Sequence, residues 1–547
     1  MPENFHFTSN IGFNLTVKLK QLHMSRHHLA GIFVLIFSVL TAQNTDDVFQ
    51  YNRTDLNGTA RYIATAGTIS NIGADLSAVS DNPAAAAVFV SNRISWSPGV
   101  FSRANTSVYN GRSELSTTNS IFHKPFYTGQ FGAVFPFVSD ANDWNKIAMG
   151  ITYKHDFNYL NEIQMKGTSG AMQSVTDYFV AQAEGVPTGD LRIYDDETVN
   201  GVYTWLGENY GSYAQQAFLA YQAYLINPLS NDDNNTNYTS AASYAEPLKH
   251  KLNERISGKK TSTDIFFAAQ YKNKLSLGVS LTFKYLNSDK NDKFVEHGYD
   301  ASSTLQYVEY RNQLHTEADG FQMKLGMIYR VNDKLNISFA YRTPVWWEVE
   351  ETTRESLYAE ALDIDDLDND GNTSEVNVFD INPEVDNVFG AYKYISPGSW
   401  QAGISYIVGK IGFISVDYGR RNWKMTHFSA VDKDDVSQDY YDYLNDVVDE
   451  TFTVSQQLRV GGELKLQEWA VRAGYYITTS PFEANKDEQK TGLTFGMGYD
   501  FGNMELDFGM HFANETYSKQ LFPVGLTQKF DVNTYASHYV MTLRFNF

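Results

Sequence analysis

Oxygen donors are the residues of this chain best placed to do chemistry. Asp366-Leu367-Asp368-Asn369-Asp370-Gly371 sets carboxylates at alternate positions with glycine sixth, the opening of a calcium loop, where a hard cation collects oxygen ligands. Position twelve is Asn377 rather than a bidentate Glu, and Glu375 falls two residues early. Asp366, Asp368 and Asp370 are therefore a calcium candidate without its strongest ligand, set against the plainer reading of an acidic, solvated turn. No other cofactor is indicated. Of 12 histidines, four precede residue 43; the rest (123, 155, 250, 297, 315, 427, 511 and 538) are scattered, with no pair at metal spacing. Cysteine is absent, which excludes a thiolate zinc site, a cysteine nucleophile, a disulfide framework and a lipoprotein anchor. Neither a Gly-x-Ser-x-Gly elbow nor a phosphate-binding glycine loop occurs. A serine hydrolase would need a Ser–His pair meeting in space, and nothing marks His123 as that partner. The expectation is a protein without enzymatic activity.

The elements that carry these residues repeat with a period of two. Leu277, Val279, Leu281, Phe283 and Tyr285 alternate with Ser276, Gly278, Ser280, Thr282 and Lys284. Leu493, Phe495, Met497 and Tyr499 oppose Thr494, Gly496, Gly498 and Asp500, and Leu506, Phe508, Met510 and Phe512 oppose Glu505, Asp507, Gly509 and His511. Tyr539, Met541, Leu543, Phe545 and Phe547 close the chain in the same way. Successive strand side chains point to opposite faces, so these are strands with one apolar and one polar face. A soluble sandwich would alternate similarly. A membrane barrel is favoured by strands of about ten residues, by short turns alternating with long polar insertions, and by a terminal aromatic strand. The short turns include Lys272-Asn273-Lys274, Val331-Asn332-Asp333 and Val408-Gly409-Lys410. The insertions fall at 155–263, 286–320, 343–398, 421–455 and 513–534. Glycine on the polar face relieves crowding where a lumen is filled.

Composition and address agree. Aromatics make up 15% and all hydrophobics only 42% of the 547 residues, and past the N-terminus no apolar run approaches the roughly 18 residues of a membrane helix. Lys plus Arg is 43 against 64 acids, a net charge of −21, which excludes a nucleic-acid partner. Between Arg26 and Thr41 lies LAGIFVLIFSVL, whose basic start, short apolar core and small residue at the cut describe a signal peptide. Residues 1–42 are read as that signal, with Met24 as the true start.

Residues 56–103 carry a run of small residues and glycines, then Asp75-Leu76-Ser77, then Asn82-Pro83-Ala84, then a strand. This resembles the long-chain fatty acid transporter family of outer membranes (FadL/TodX type), in the version carried by Bacteroidetes-type bacteria. Ile337 to Pro344 is similar to that family's strand ending Tyr-Arg-Ser-Pro, and Val471-Arg472-Ala473-Gly474-Tyr475 with Ser480-Pro481 to its late strand and turn. The resemblance implies an all-β transmembrane antiparallel barrel of about 14 strands, an N-terminal hatch at 43–91 plugging the lumen, and the barrel at 92–547 with large loops at 155–263 and 343–398. It implies an integral outer-membrane channel for passive uptake of hydrophobic molecules such as long-chain fatty acids. Some relatives are partner subunits of export or assembly machinery, so the alternative is a non-transporting scaffold barrel of an outer-membrane secretion or assembly complex.

Site residues follow from that reading. Asn82, Pro83 and Ala84 form the hatch signature, because Asn bonds its own backbone and Pro fixes φ at a sharp bend. The resemblance implies a lateral gap in the wall, for which the Phe131–Pro136 segment with Gly132 and Pro136 is the candidate, because Pro136 cannot donate to a ladder; the alternative is a strand ending normally at Pro136. Val202 to Ile226 is too apolar for a solvated loop, and Tyr213, Ala217, Ala220, Tyr221 and Tyr224 fall at helical spacing. Trp205, Tyr213, Phe218 and Tyr221 are thus a candidate hydrophobic-ligand loop, the alternative being a helix that only packs on the barrel mouth. Glu505, Asp507, His511, His538 and Arg544 share the polar face of the last strands, as a ligand- or hatch-anchoring network or as ordinary pairing of a polar interior. Expected partners are a hydrophobic ligand or lipid, outer-membrane lipids, the barrel-assembly machinery through the strand ending at Phe547, and other outer-membrane proteins.

Overall fold

The computed structural model describes residues 45–110, 115–138, 143–362, 376–431, 435–485 and 488–547. Fourteen antiparallel strands close on themselves. They are β1 (Arg93–Asn110), β2 (Leu115–Val138), β3 (Trp144–Asn158, extended by Asn161–Thr168), β4 (Lys249–Tyr271), β5 (Leu275–His297) and β6 (Leu305–Arg330). Three broken strands follow: β7 (Leu335–Arg342 and Val345–Leu362), β8 (Val376–Ile381, Asn387–Ser396 and Ser399–Val408) and β9 (Gly412–Asn422 and His427–Ala430). The circuit ends with β10 (Val454–Leu466), β11 (Trp469–Thr479), β12 (Gln489–Asp500), β13 (Met504–Gln520) and β14 (Lys529–Asn546). β14 pairs with β1 from Arg93↔Asn546 to Tyr109↔Phe530, which removes the free edge.

The period-two rows decide which face meets what. Leu277, Leu281, Phe283, Leu493, Phe495, Met497, Phe508 and Met541 are exposed, while Ser276, Ser280, Thr282, Thr494, Asp507 and Thr542 are buried inside. A wall apolar outside, polar inside and without an edge is what hydrocarbon permits, since every backbone donor must be satisfied within the structure. Aromatics collect at both borders, Trp469–Tyr499–Phe501 near the short turns and Phe283–Phe321–Trp346 opposite, as interfacial girdles do. No helix among the described residues is long and apolar enough to cross a membrane; the strands do it. The protein is an integral outer-membrane barrel.

The strands outrun the expected ten residues. β4, β5 and β6 contain 23, 23 and 26 residues, about 75–85 Å at 3.3 Å per residue, so the insertion expected at 286–320 is mostly sheet, and much of 343–398 is too. Past Tyr285 the outward row turns polar (Asn287, Asp289) yet pairing continues to His297↔Tyr307. No Pro or Gly interrupts 286–297 or 305–319, and antiparallel ladders extend until something breaks them.

Above the membrane the inward rows become apolar, with Phe294, Val308, Tyr310, Val349 and Leu357 buried in one core with a helical cap. The cap contains α1 (Val175–Ala183), α2 (Val199–Asn209), α3 (Ser212–Gln222) and a hairpin of Ile226–Pro228 and Tyr238–Ser240. Glu296 of β5 fastens it. Its carboxylate accepts from Ser174 Oγ at 2.5 Å, Val175 N at 2.9 Å and Tyr299 OH at 2.6 Å, and lies 2.9 Å from His250 Nε2. Ser174 is the N-cap of α1, so the anion sits at a helix N-terminus. The outer helix α4 (Asp435–Thr451) buries Tyr441, Leu444 and Val448 along one stripe.

Candidate functional site

Within the barrel lie five further helical segments: αN (Thr45–Asn52), then short turns of helix at Ala60–Ala64, Thr68–Asn71, Leu76–Asp81 and Pro83–Val88. Each short piece is capped by its own sequence. Thr59 accepts from Tyr62 N, Asp75 from Ser77 N and Ala78 N, and Asn82 from Ala84 N with Pro83 at the first helical position, the arrangement that satisfies otherwise orphaned N–H groups. Residues this small can pack backbone against wall where the wall has no side chain. A Cβ on Gly509 would lie 2.6 Å from Ala60 O, and one on Gly496 2.5 Å from Ala64 Cβ. Added Cβ atoms on Gly278 and Gly326 would strike the Asn82-Pro83-Ala84 segment.

Ion pairs complete the seating. Arg61 binds Glu463 with Nε at 2.7 Å and Nη2 at 2.8 Å. Glu463 also holds Arg472, which reaches Asp507 at 2.6 Å; Asp507 and Glu505 both pair with Arg544, and Glu505 with Arg93. Glu505, Asp507 and Arg544 thus belong to a chain of charges that ends on the plug residue Arg61. His511 lies elsewhere, 2.9 Å from Tyr476 OH, and His538 stacks on Tyr127. On the other side Asp81 is gripped by Arg342 and Arg459, each at 3.1 Å. Asn71 bonds Ser415, Ser338 and Asp417.

Between this plug, the end of αN and the wall lies a cavity of about 280 Å³. In a chain of net charge −21 it is lined by ten basic and five acidic residues, together with Phe49, Trp347, Trp423, Tyr476, Phe482 and Tyr517. Several cations have structural partners. Lys260 Nζ donates to Tyr51 O at 2.6 Å and to Arg53 O, and Arg421 Nη1 to Asn52 O at 3.3 Å, placing positive charge at the helix C-terminus, where the dipole favours it. Lys284 pairs with Asp156, Lys324 with Asp264 and Arg53 with Glu515. Phe49 is held among Trp423, Phe482 and Tyr517 at ring distances of 6.3, 5.0 and 5.7 Å. The space can receive a small molecule that is part apolar and part anionic.

The residues singled out in the sequence fall in different places. Asn82, Pro83 and Ala84 sit inside the barrel, with Asn82 Nδ2 donating to Met327 O at 3.3 Å. Gly132 and Pro136 lie in an unbroken ladder, Gly132↔Thr152 and Pro136↔Ala148, so that segment holds no interruption. The pairing irregularities of this wall fall between Ser97/Pro98 and Gly99/Phe101 of β1 instead. Phe218 is fully buried and Tyr213 nearly so within the cap core, Tyr221 packs against it, and Trp205 is exposed beside Tyr210. The helical stretch is two helices, broken at Tyr210-Gly211, and Tyr224 falls after the second with φ 58°. Asp366, Asp368 and Asp370 lie outside the described residues. None of the cavity cations had been singled out. Their signal was present: Lys154, Lys284, Lys324, Arg342 and Arg459 occupy inward parity on strands whose outward rows are apolar.

No family model matches the chain, and no curated protein does. Among solved structures it is similar to the toluene transporter TodX of P. putida (14% identity, TM-score 0.46), to a Pseudomonas aeruginosa FadL homologue (10%, 0.47) and to the toluene transporter TbuX of Ralstonia pickettii (14%, 0.45). Each likeness covers 90% of this chain and 99% of the other.

Proposed function

We propose that this barrel is a passive outer-membrane channel for hydrophobic small molecules, long-chain fatty acids among them. The observation that carries the reading is the cavity between αN and the plug, whose lining combines aromatic side chains with ten cations. An acyl chain would gain about 25 cal/mol for each Å² of apolar surface it buries against Phe49, Trp347 and Phe482. Its carboxylate would meet positive charge, which a neutral hydrocarbon would leave unused. Oleate uptake in a reporter strain lacking its own transporter tests this. Expression of the barrel should restore uptake, and Phe49→Asp should abolish the gain. Restoration by neither oleate nor any neutral hydrophobic compound would refute a channel role.

A second reading, the non-transporting scaffold, is favoured by one observation. Residues 169–248, the outer cap, hold ten acidic residues and one base, Arg192, a surface whose charge could select a partner. Purification in mild detergent separates the two: a stoichiometric partner protein supports the scaffold, and a lone barrel carrying lipid supports the channel.

A further inference from the structure

We propose that the outward face of β3–β6 above the membrane binds an anionic glycolipid of the outer leaflet, one whose phosphate or carboxylate groups stand on sugars above the acyl layer. The alternation that buries Leu252, Glu254 and Ile256 turns Lys249, Lys251, Arg255 and Lys259 outward, and all four are exposed, as is Lys166 on the extension of β3. The outward rows of β3 at 162–168, β4 at 249–259, β5 at 289–297 and β6 at 307–315 hold seven Lys or Arg and three Asp or Glu, in a chain of net charge −21. The three acids are already engaged. Glu309 is held by Lys293 and Arg311 at 2.6 and 2.5 Å, Asp289 lies 2.7 Å from His315 Nδ1, and Glu162 accepts from Gln164 Nε2 at 2.7 Å. Lys166, Lys249, Lys251 and Lys259 have no ion pair with any described carboxylate. The ladder sets Lys166 directly opposite Lys251, and like charges at paired positions repel. The next strand ends the patch, since β7 carries Glu348, Glu350 and Glu360 outward.

The height of the patch identifies its occupant. Thr263 of β4 pairs with Phe283 of the outer aromatic girdle. Lys259 lies four residues above Thr263, Lys251 twelve and Lys249 fourteen. At 3.3 Å per residue and a tilt near 40°, these lysines stand about 10–35 Å above the girdle. A phospholipid head group reaches only about 5–8 Å beyond the hydrocarbon, which would leave Lys166 and Lys251 unmet. A glycolipid whose charged sugars rise from the leaflet meets the whole column. Its anions would lie between ammonium groups that otherwise repel, through several contacts side by side, each weakened by salt. The apolar wall directly below, with Ile265 and Leu281 exposed, would receive its acyl chains.

The test is surface plasmon resonance on the immobilised full-length barrel in a neutral detergent. The probes are rough lipopolysaccharide with a phosphorylated core, the same glycolipid after dephosphorylation, and phosphatidylglycerol. The lipopolysaccharide should bind saturably, and more weakly once dephosphorylated or in roughly 0.5 M salt; neither of these arms depends on a variant. The double variant Lys166→Gln/Lys251→Gln should weaken it at least about tenfold. Lys334→Gln/Lys410→Gln, the same loss of charge at exposed short turns of the opposite end, should bind as the parent does. Both variants should keep the parent's heat-modifiable mobility. Equal binding by the parent and Lys166→Gln/Lys251→Gln, or equal losses in the two double variants, would overturn the proposal. Phosphatidylglycerol binding that falls in parallel would overturn it too, leaving a general attraction for anionic lipid. So would a dimer in detergent that only Lys166→Gln/Lys251→Gln separates, which would assign the patch to the acidic cap of a second copy.

Discussion

Arg459 of β10 and Asp81 of the plug face each other across the lumen, guanidinium Nη1 3.1 Å from carboxylate Oδ2. The two are 378 residues apart in sequence, and both are buried. Arg342 holds the other carboxylate oxygen at 3.1 Å, and Asp417 shares Arg459 at 2.9 Å. Removing one member of such a buried group strands the others, at a cost of roughly 3–5 kcal/mol.

Asp81→Asn should therefore loosen the plug without unfolding the barrel, whose ladder does not pass through residue 81. Cells carrying it should become sensitive to large hydrophilic antibiotics, while the protein keeps its heat-modifiable mobility on gels. Unchanged sensitivity with an intact barrel would mean that Asp81 does not secure the pore.

The glycines of the inner wall should not be equivalent. At Gly509 an added methyl would lie 2.6 Å from Ala60 O, whereas at Gly419 the nearest atom is Trp400 O at 3.6 Å. Gly509→Ala should displace the plug and raise permeability; Gly419→Ala should change stability by less than about 0.5 kcal/mol. Antibiotic-sensitivity and thermal-unfolding measurements on the pair check this, and equal behaviour would contradict the seating described.

Glu355 of β7 lies outside the membrane, buried in the cap core. It accepts from Tyr310 OH at 2.7 Å and Gln216 Nε2 at 2.8 Å, with no cation paired to it among the described residues. Burial raises its pKa above the usual carboxyl value. A raised folded-state pKa favours the protonated form, so this contribution to stability is full below the unfolded pKa and is lost as pH rises through the folded one. Glu355→Gln should then stabilise the cap by roughly 1–3 kcal/mol at pH 8 and match the parent near pH 4. Limited proteolysis of residues 169–248 across that range provides the readout; a variant less stable than the parent at pH 8 would show that the charged form is the one accommodated.

Leu281 faces lipid midway along the membrane part of β5, 40% exposed. Leu281→Arg should cost about 2–4 kcal/mol and lower the yield of folded barrel. Ser280→Ala, one residue away on the inner face, should be far milder despite burial. Similar losses at both positions would undo the assignment of faces.

Much of this was legible in the sequence because parity is local. A strand turns one face every second residue, so the rows from Leu277 to Tyr285 and from Leu493 to Tyr499 fixed the lipid and lumen faces without any partner strand. The Asn82-Pro83 bend and the glycines among polar-face residues likewise announced a filled lumen, since a missing Cβ at 278, 326 and 509 needs a reason. Only the tertiary structure decided how far each ladder runs, because a polar strand beyond the membrane and a polar loop share a composition until pairing separates them. It also made Phe218 cap core rather than ligand surface. The cavity was least legible of all. Lys260 finds the carbonyl of Tyr51 across 209 residues, Asp81 finds Arg459 across 378, and closure of the barrel alone brings such residues together, because no local periodicity records which inward side chains share a height around a ring of fourteen strands.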